Sequence, residues 1–176
     1  MTAVKLYPPR PDKVYLFGTC LIDLFYPEAG MDAIRLLERE GIEVLFPEDQ
    51  TCCGQPAYGS GYHDEARAVA AAQLDLFPEP WPIVVPSGSC GGMMRTHSPQ
   101  LFAGSDLEAK AEEVAGRVFE LTEFLVHVCH LDLEDRGEPE KVAMHTSGSA
   151  RREMGLAETG PALLAQLGQV ELVEQA

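Results

Sequence analysis

Short, fully apolar runs and longer stretches with helical spacing alternate along this chain. The run Lys13-Val14-Tyr15-Leu16-Phe17-Gly18 predicts a first strand, and Gly18-Thr19-Cys20 turns the chain at its carboxyl end. Pro27 and Glu28 open a helix whose apolar positions, Met31, Ile34, Leu36 and Leu37, recur at helical spacing. Gly41 closes it in the usual place for a left-handed cap. Residues 42–46 predict a second strand and complete a βαβ unit, with the loop Thr51-Cys52-Cys53-Gly54-Gln55-Pro56 directly behind. A helix over 63–76 puts Ala66, Val69, Ala70, Leu74 and Phe77 on one side, and Pro78, Pro80 and Pro82 punctuate its exit. Ile83-Val84-Val85 is a continuous apolar run of the kind found in buried parallel strands, and Cys90 follows it in a loop rich in Gly and Ser.

Downstream, 106–119 and 121–128 read as two helices, the second capped by Thr122. Residues 136–139 read as a turn or linker, 141–145 as a strand, 161–167 as a helix and 169–173 as a last strand. Strands alternating with helices predict an α/β fold: an open, mostly parallel, Rossmann-like sheet with flanking helices. Every cysteine loop follows a strand, so the cysteines are expected at the carboxyl ends of the strands, where open parallel sheets collect ligands.

The 176 residues suffice for one compact domain with a core. Thirteen basic against 28 acidic side chains give a net charge of −15, which repels nucleic acid and otherwise serves solubility. No apolar run approaches the ~20 residues of a membrane span. The proline-rich first 12 residues read as an extended arm without the apolar centre of a signal peptide, and a cytoplasmic location is expected. No GxGxxG or Walker pattern supports direct nucleotide binding.

Five cysteines in a reducing compartment point to metal or redox chemistry rather than a disulfide framework. Taken singly, each is most simply a small buried apolar residue. Their spacing argues otherwise. Thirty-one residues separate Cys20 from Cys52, and 36 separate Cys53 from Cys90. Adjacent cysteines do not easily bond to each other, but a Cys-Cys-Gly turn aims two thiolates at one soft centre, with Gly54 allowing a tight backbone path. Four thiolates from Cys20, Cys52, Cys53 and Cys90 complete either a tetrahedral zinc site or an ordinary [4Fe-4S] cluster. A nucleophilic Cys90 activated by its Gly- and Ser-rich loop is a weaker alternative. Cys129, between His127 and His130, lies outside the pattern because the three are spaced too closely to converge. His63, His97 and His145 read as ordinary polar histidines, with His145 a candidate for contact with the site because it follows a strand.

A cysteine, then Cys-Cys-Gly, then Cys-x-x-Cys at these intervals resembles the cysteine-rich "CCG" domain family of iron-sulfur oxidoreductase subunits. Here the pattern reads Cys20, Cys52-Cys53-Gly54 and Cys90-Gly91-Gly92-Met93, with methionine at the last family cysteine. Phe25-Tyr26-Pro27-Glu28, Gln50 to Tyr58 and Pro86-Ser87-Gly88-Ser89-Cys90 look most like the lactate utilization branch of that family. The resemblance implies an iron-sulfur electron-transfer subunit in L-lactate or another 2-hydroxy acid utilization, part of an oxidoreductase complex rather than a complete enzyme. It implies other iron-sulfur or flavin subunits of a lactate or glycolate oxidation complex as partners. A non-catalytic zinc-binding structural or interaction module derived from the same family is the alternative.

Family members usually carry the motif twice. The second copy would start where this chain reads His145-Thr146-Ser147-Gly148-Ser149, with glycine at the cysteine position. The expected organisation is therefore an arm over 1–12, a CCG-type domain over 13–135, and a partial, degenerate start of a second repeat over 136–176.

Overall fold

A computed structural model describes residues 6–134 and 137–173. In chain order its elements begin with β1 (Lys13–Leu16), α1 (Cys20–Phe25), α2 (Pro27–Arg39), β2 (Glu43–Leu45), α3 (Gln55–Gly59), α4 (His63–Leu74) and β3 (Ile83–Val85). There follow α5 (Gly88–Gly92), α6 (Ser98–Phe102), α7 (Glu108–Gly116), β4 (Val118–Glu120) and α8 (Leu121–Phe124). The last elements are β5 (Glu140–Ala143), α9 (Gly148–Arg152), α10 (Thr159–Leu164) and β6 (Val170–Val173). Met93–His97 joins α5 to α6 in a π-helical turn, and Leu125–Cys129 extends α8 in another.

Strands β1 to β4 form one open parallel sheet in the order β2-β1-β3-β4. The α/β architecture is the one the sequence predicts. Side chains alternate across the sheet, and this alternation builds a core on each face. Tyr15, Phe17, Ile83, Val85 and Val118 pack against α4, α6 and α7. Val14, Leu16, Val84 and Phe119 pack with Ala33 and Leu37 of α2 and with Phe124 of α8. Strands covered on both faces need continuous apolar runs, and these strands have them.

Strand order reverses direction at β1, so β1 and β3 flank the crevice where chain connections leave on opposite sides. Such switch points are where open α/β sheets bind their ligands. The three cysteine segments follow β1, β2 and β3.

Several local readings change. Val118 and Phe119 lie in a strand, not at the end of a helix, because a two-residue apolar step fits either period and the sheet edge decides it. Glu120, not Thr122, caps α8: its carboxylate accepts from the Thr122 and Glu123 amides, with Glu123 completing a capping box. Cys90 sits inside a helix rather than a loop. The glycine-rich helix is held by close neighbours: a Cβ on Gly88 would come within 2.5 Å of the Ala150 Cβ, and one on Gly91 within 3.1 Å of the Met154 Cε. Strands β5 and β6 form a separate parallel pair. The described part of the N-terminal arm is tied down: Tyr7 stacks on His127 with ring centroids 4.5 Å apart and donates to Glu123 at 3.3 Å. Arg136 of the expected linker lies outside the described residues.

Candidate metal centre

Cys20 is the first residue of α1, and the residue before it carries the turn. Thr19 has φ 55° and ψ 141°, a conformation that L residues seldom adopt and that costs about 1–3 kcal/mol. Its buried hydroxyl accepts from the Ile22 amide at 3.3 Å and so caps the helix. Gly18 has no side chain because the Phe46 ring fills that space; a Cβ there would lie 2.8 Å from the ring edge.

The Cys-Cys-Gly turn is set by Gly54 at φ 89°, the left-handed entrance to α3. A Cβ on Gly54 would stand 3.1 Å from the Ala66 carbonyl oxygen, so the turn is pressed onto α4. Two glutamines fix this loop, and no motif announces either one. Gln50 accepts from the Gly18 amide and donates to the Leu16 carbonyl, both at 2.9 Å, which ties the loop to the Cys20 turn. Gln73, buried on α4, holds Thr51 through both of its amide atoms.

All five cysteines are free thiols. Cys20, Cys52, Cys53 and Cys90 meet as two pairs. Cys20 Sγ lies 3.8 Å from Cys52 Sγ, on the half-exposed side. Cys53 and Cys90 are neighbours within the buried core cluster that also holds Met93. The adjacent cysteines thus point to different partners, Cys52 outward and Cys53 inward. Among the described residues, no three His, Cys, Asp or Glu side chains already stand as a closed ligand group.

The thiols influence one another. Cys53 keeps its proton: its interaction with the Cys90 sulfur, then burial, then the charge of Cys90 push its titration far up. Cys90 gives its proton up first. Its interaction with the Cys53 thiol lowers it to about 7 against the opposing effect of burial, and the Ser87 and Ser89 hydroxyls help. Cys20 is raised by burial, by its contact with Cys52, and by the charges of Cys52 and Cys90. The Gly54 amide also points at Cys52 Sγ, 3.5 Å away. Soft donors, gathered at a sheet switch point and supplied with N–H and O–H groups, are the donor set that an iron-sulfur cluster or zinc takes.

The remaining sequence candidates lie elsewhere. Cys129 is buried at the end of its π-helical turn, where burial and the Glu40 charge raise it to about 11. His63 and His97 stack on Tyr58, and His97 Nε2 lies 3.3 Å from Glu153. His145 is exposed and lines a cleft of about 330 Å³ between Ser87, Ser89 and the turn before α9. Met93 is fully buried and packs in the core as the first residue of a π-helical turn. Among the described residues, no helix is long and apolar enough to cross a membrane.

This constellation is that of a cysteine-rich CCG domain, and the family model of that domain matches residues 14–95. The chain is 43% identical over 162 residues to lactate utilization protein A of Shouchella clausii, covering 90% of this chain and 66% of the relative. It is 44% identical over 164 residues to lactate utilization protein A of a Geobacillus strain, covering 92% and 68%. A Bacillus cereus relative, lactate utilization protein A 2, is 40% identical over 163 residues, covering 92% and 67%. The chain belongs to the lactate utilization protein A family. It spans about two thirds of the length of these relatives.

Proposed function

We propose that this chain holds an iron-sulfur cluster on Cys20, Cys52, Cys53 and Cys90 and serves as an electron-transfer subunit in L-lactate utilization. What supports the reading is the meeting of four free thiols, from three segments of the chain, at the switch point of a parallel sheet. The substrate comes from the relatives' names alone. A [4Fe-4S] cluster, when bound, supplies one-electron chemistry at a potential set by its surroundings. The chain's part is to hold and tune. Cys53 and Cys90 anchor the buried side, while Cys20 and Cys52 face outward. The Gly54 amide and the Ser87 and Ser89 hydroxyls stabilise negative charge on sulfur. The partners in this reading are flavin or other iron-sulfur subunits in the cytoplasm.

One observation favours a second reading, in which the thiols hold zinc. Two thiolates on one tetrahedral zinc, each at about 2.3 Å, stand roughly 3.8 Å apart. Cys20 and Cys52 already have that spacing. Metal analysis of protein purified without air separates the two. About four irons and four sulfides per chain, with a reduced-state EPR signal lost in Cys52→Ser, supports the cluster. About one zinc per chain, with no iron after reconstitution, sinks it.

The segment after 136 is proposed as the start of a second, degenerate repeat. Its order β5-α9-α10-β6, with β5 and β6 parallel, echoes β1-α1-α2-β2. Ser147 caps α9 by accepting from the Ala150 amide at 3.3 Å, as Thr19 caps α1. Gly148 then occupies the helix position that Cys20 holds in the first copy. No cysteine ligand is available there.

A further inference from the structure

Helix α1 buries none of its side chains. Leu21, Leu24 and Phe25 are 58%, 70% and 69% exposed, and Tyr26, Met31 and Phe46 beside them are each more than two-fifths exposed. Single exposed apolar residues are ordinary, but a contiguous group on one face marks a surface that something covers. A cleft of about 200 Å³ runs between α1 and α2, lined by Ile22, Pro27, Met31, Ile34 and Phe46 and almost wholly apolar. A second cleft of the same size shares Gly18, Asp23 and Phe46 with it and ends at Cys20 and Cys52. The apolar face therefore leads directly to the outward pair of thiols.

Its border is acidic. Asp23 and Glu48 line the clefts, Glu28 adjoins Pro27, Asp49 adjoins Glu48, and all four are exposed. Among the described residues, neither cleft is lined by a lysine or arginine, and Arg35 of α2 is already held by Asp32 at 2.7 Å. A second copy of this chain would set acid against acid on top of a net charge of −15 each. Anionic lipid and nucleic acid are repelled in the same way.

We infer that the α1–α2 face docks a partner protein whose contact segment is an amphipathic helix with an apolar centre and a basic rim. The apolar side chains enter the two clefts and the basic residues face Asp23, Glu28, Glu48 and Asp49. On the cluster reading above, this docking brings the partner's redox centre against the Cys20–Cys52 side of the site.

The test uses two short helical peptides labelled with a fluorophore, each with leucines along one face. In one the leucines are flanked by lysines, in the other by glutamates. Fluorescence anisotropy is expected to show binding of the lysine peptide only, weakening as salt is added. Leu24→Asp with Phe25→Asp is expected to weaken it at least about tenfold, in keeping with loss of central apolar anchors. Both residues are exposed, so an unchanged far-ultraviolet circular dichroism spectrum is expected for the variant. The inference is overturned by equal binding of both peptides, by no binding, or by binding that the double variant leaves unchanged. It is also overturned if sedimentation shows a dimer, or flotation shows attachment to phosphatidylcholine vesicles, that the double variant abolishes. Iron measured in the same samples keeps the two readings apart. Peptide binding without iron supports the docking face and removes the cluster, whereas about four irons without peptide binding does the reverse.

Discussion

Gln73 and Thr51 are joined by two hydrogen bonds, Thr51 N–H to Gln73 Oε1 at 3.1 Å and Gln73 Nε2–H to Thr51 Oγ1 at 2.7 Å. The clamp sits one residue before Cys52 and is anchored on α4, so the helix fixes where the loop presents its sulfurs. Gln73→Leu removes both bonds. Each is worth about 0.5–1.5 kcal/mol, and a loss of unfolding free energy of that combined size, read as a lower urea midpoint, is expected. Metal retention after chelator challenge should fall as well, which a merely structural role for Gln73 would not require.

Gly54 and Gly61 make a matched pair for the turn geometry. Both have left-handed backbones, at φ 89° and 85°, but only a Cβ on Gly54 meets an atom within 4 Å. Gly61→Ala should cost about 1–2 kcal/mol from the backbone alone and leave the metal content unchanged. Gly54→Ala should cost more and lower the metal bound per chain. Equal metal contents in the two variants would refute the claim that the turn presses on α4.

Arg95 and Glu123 form a buried ion pair at 2.6 Å, with the Glu123 side chain 1% exposed. Arg95 also donates to the Val118 carbonyl and lies over the Phe119 ring. Arg95→Met takes the cation away from a buried carboxylate to which Tyr7 and the Glu120 amide still donate, and a loss of about 3–5 kcal/mol in urea unfolding is expected. Arg95→Met combined with Glu123→Leu should recover part of it, because an apolar pair needs no partner charge, even though the capping box of α8 is lost. If the double variant is no more stable than Arg95→Met, the stranded charge is not the cause.

In the metal-free protein, Cys90 releases its proton at about 7 when folded, below the ordinary thiol value of about 8.5. The folded state then holds fewer protons than the unfolded state between these values, so stability rises with pH there. This contribution is fully present above the ordinary thiol value and is lost as pH falls through about 7. Thiolate absorbance in the ultraviolet should show one group titrating near 7, absent in Cys90→Ser. Replacing Ser87 and Ser89 by alanine should move that midpoint upward. A midpoint insensitive to both serines would remove them from the site.

Much of the sheet was legible because the central strands β1 and β3 are buried on both faces and must be written as apolar runs. That Cys20, Cys52, Cys53 and Cys90 come together was legible from spacing, since each cysteine segment follows a strand. Which thiol pairs with which was not, because Cys52 and Cys53 are adjacent in sequence and part only in the fold. Gln50 and Gln73 were invisible for the same reason: an amide side chain becomes a clamp only through neighbours 22 to 34 positions away. The strand at Val118–Glu120 was hidden by its length. The glycine-rich α5 contradicts its own propensity, and Ala150 and Met154, packed against it from far along the chain, override that propensity.

The sheet order also sets a timetable for synthesis. Cys20 and Cys52 can meet as soon as β2 lies beside β1, but Cys90 arrives only when β3 has been made and paired on the other side of β1. Parallel pairings of this kind close long loops and form slowly. Between those two events the nascent chain carries three thiols with no fourth to complete the set. On the cluster reading, metal delivery would then wait for β3, and those three sulfurs would have to be kept reduced until it docks.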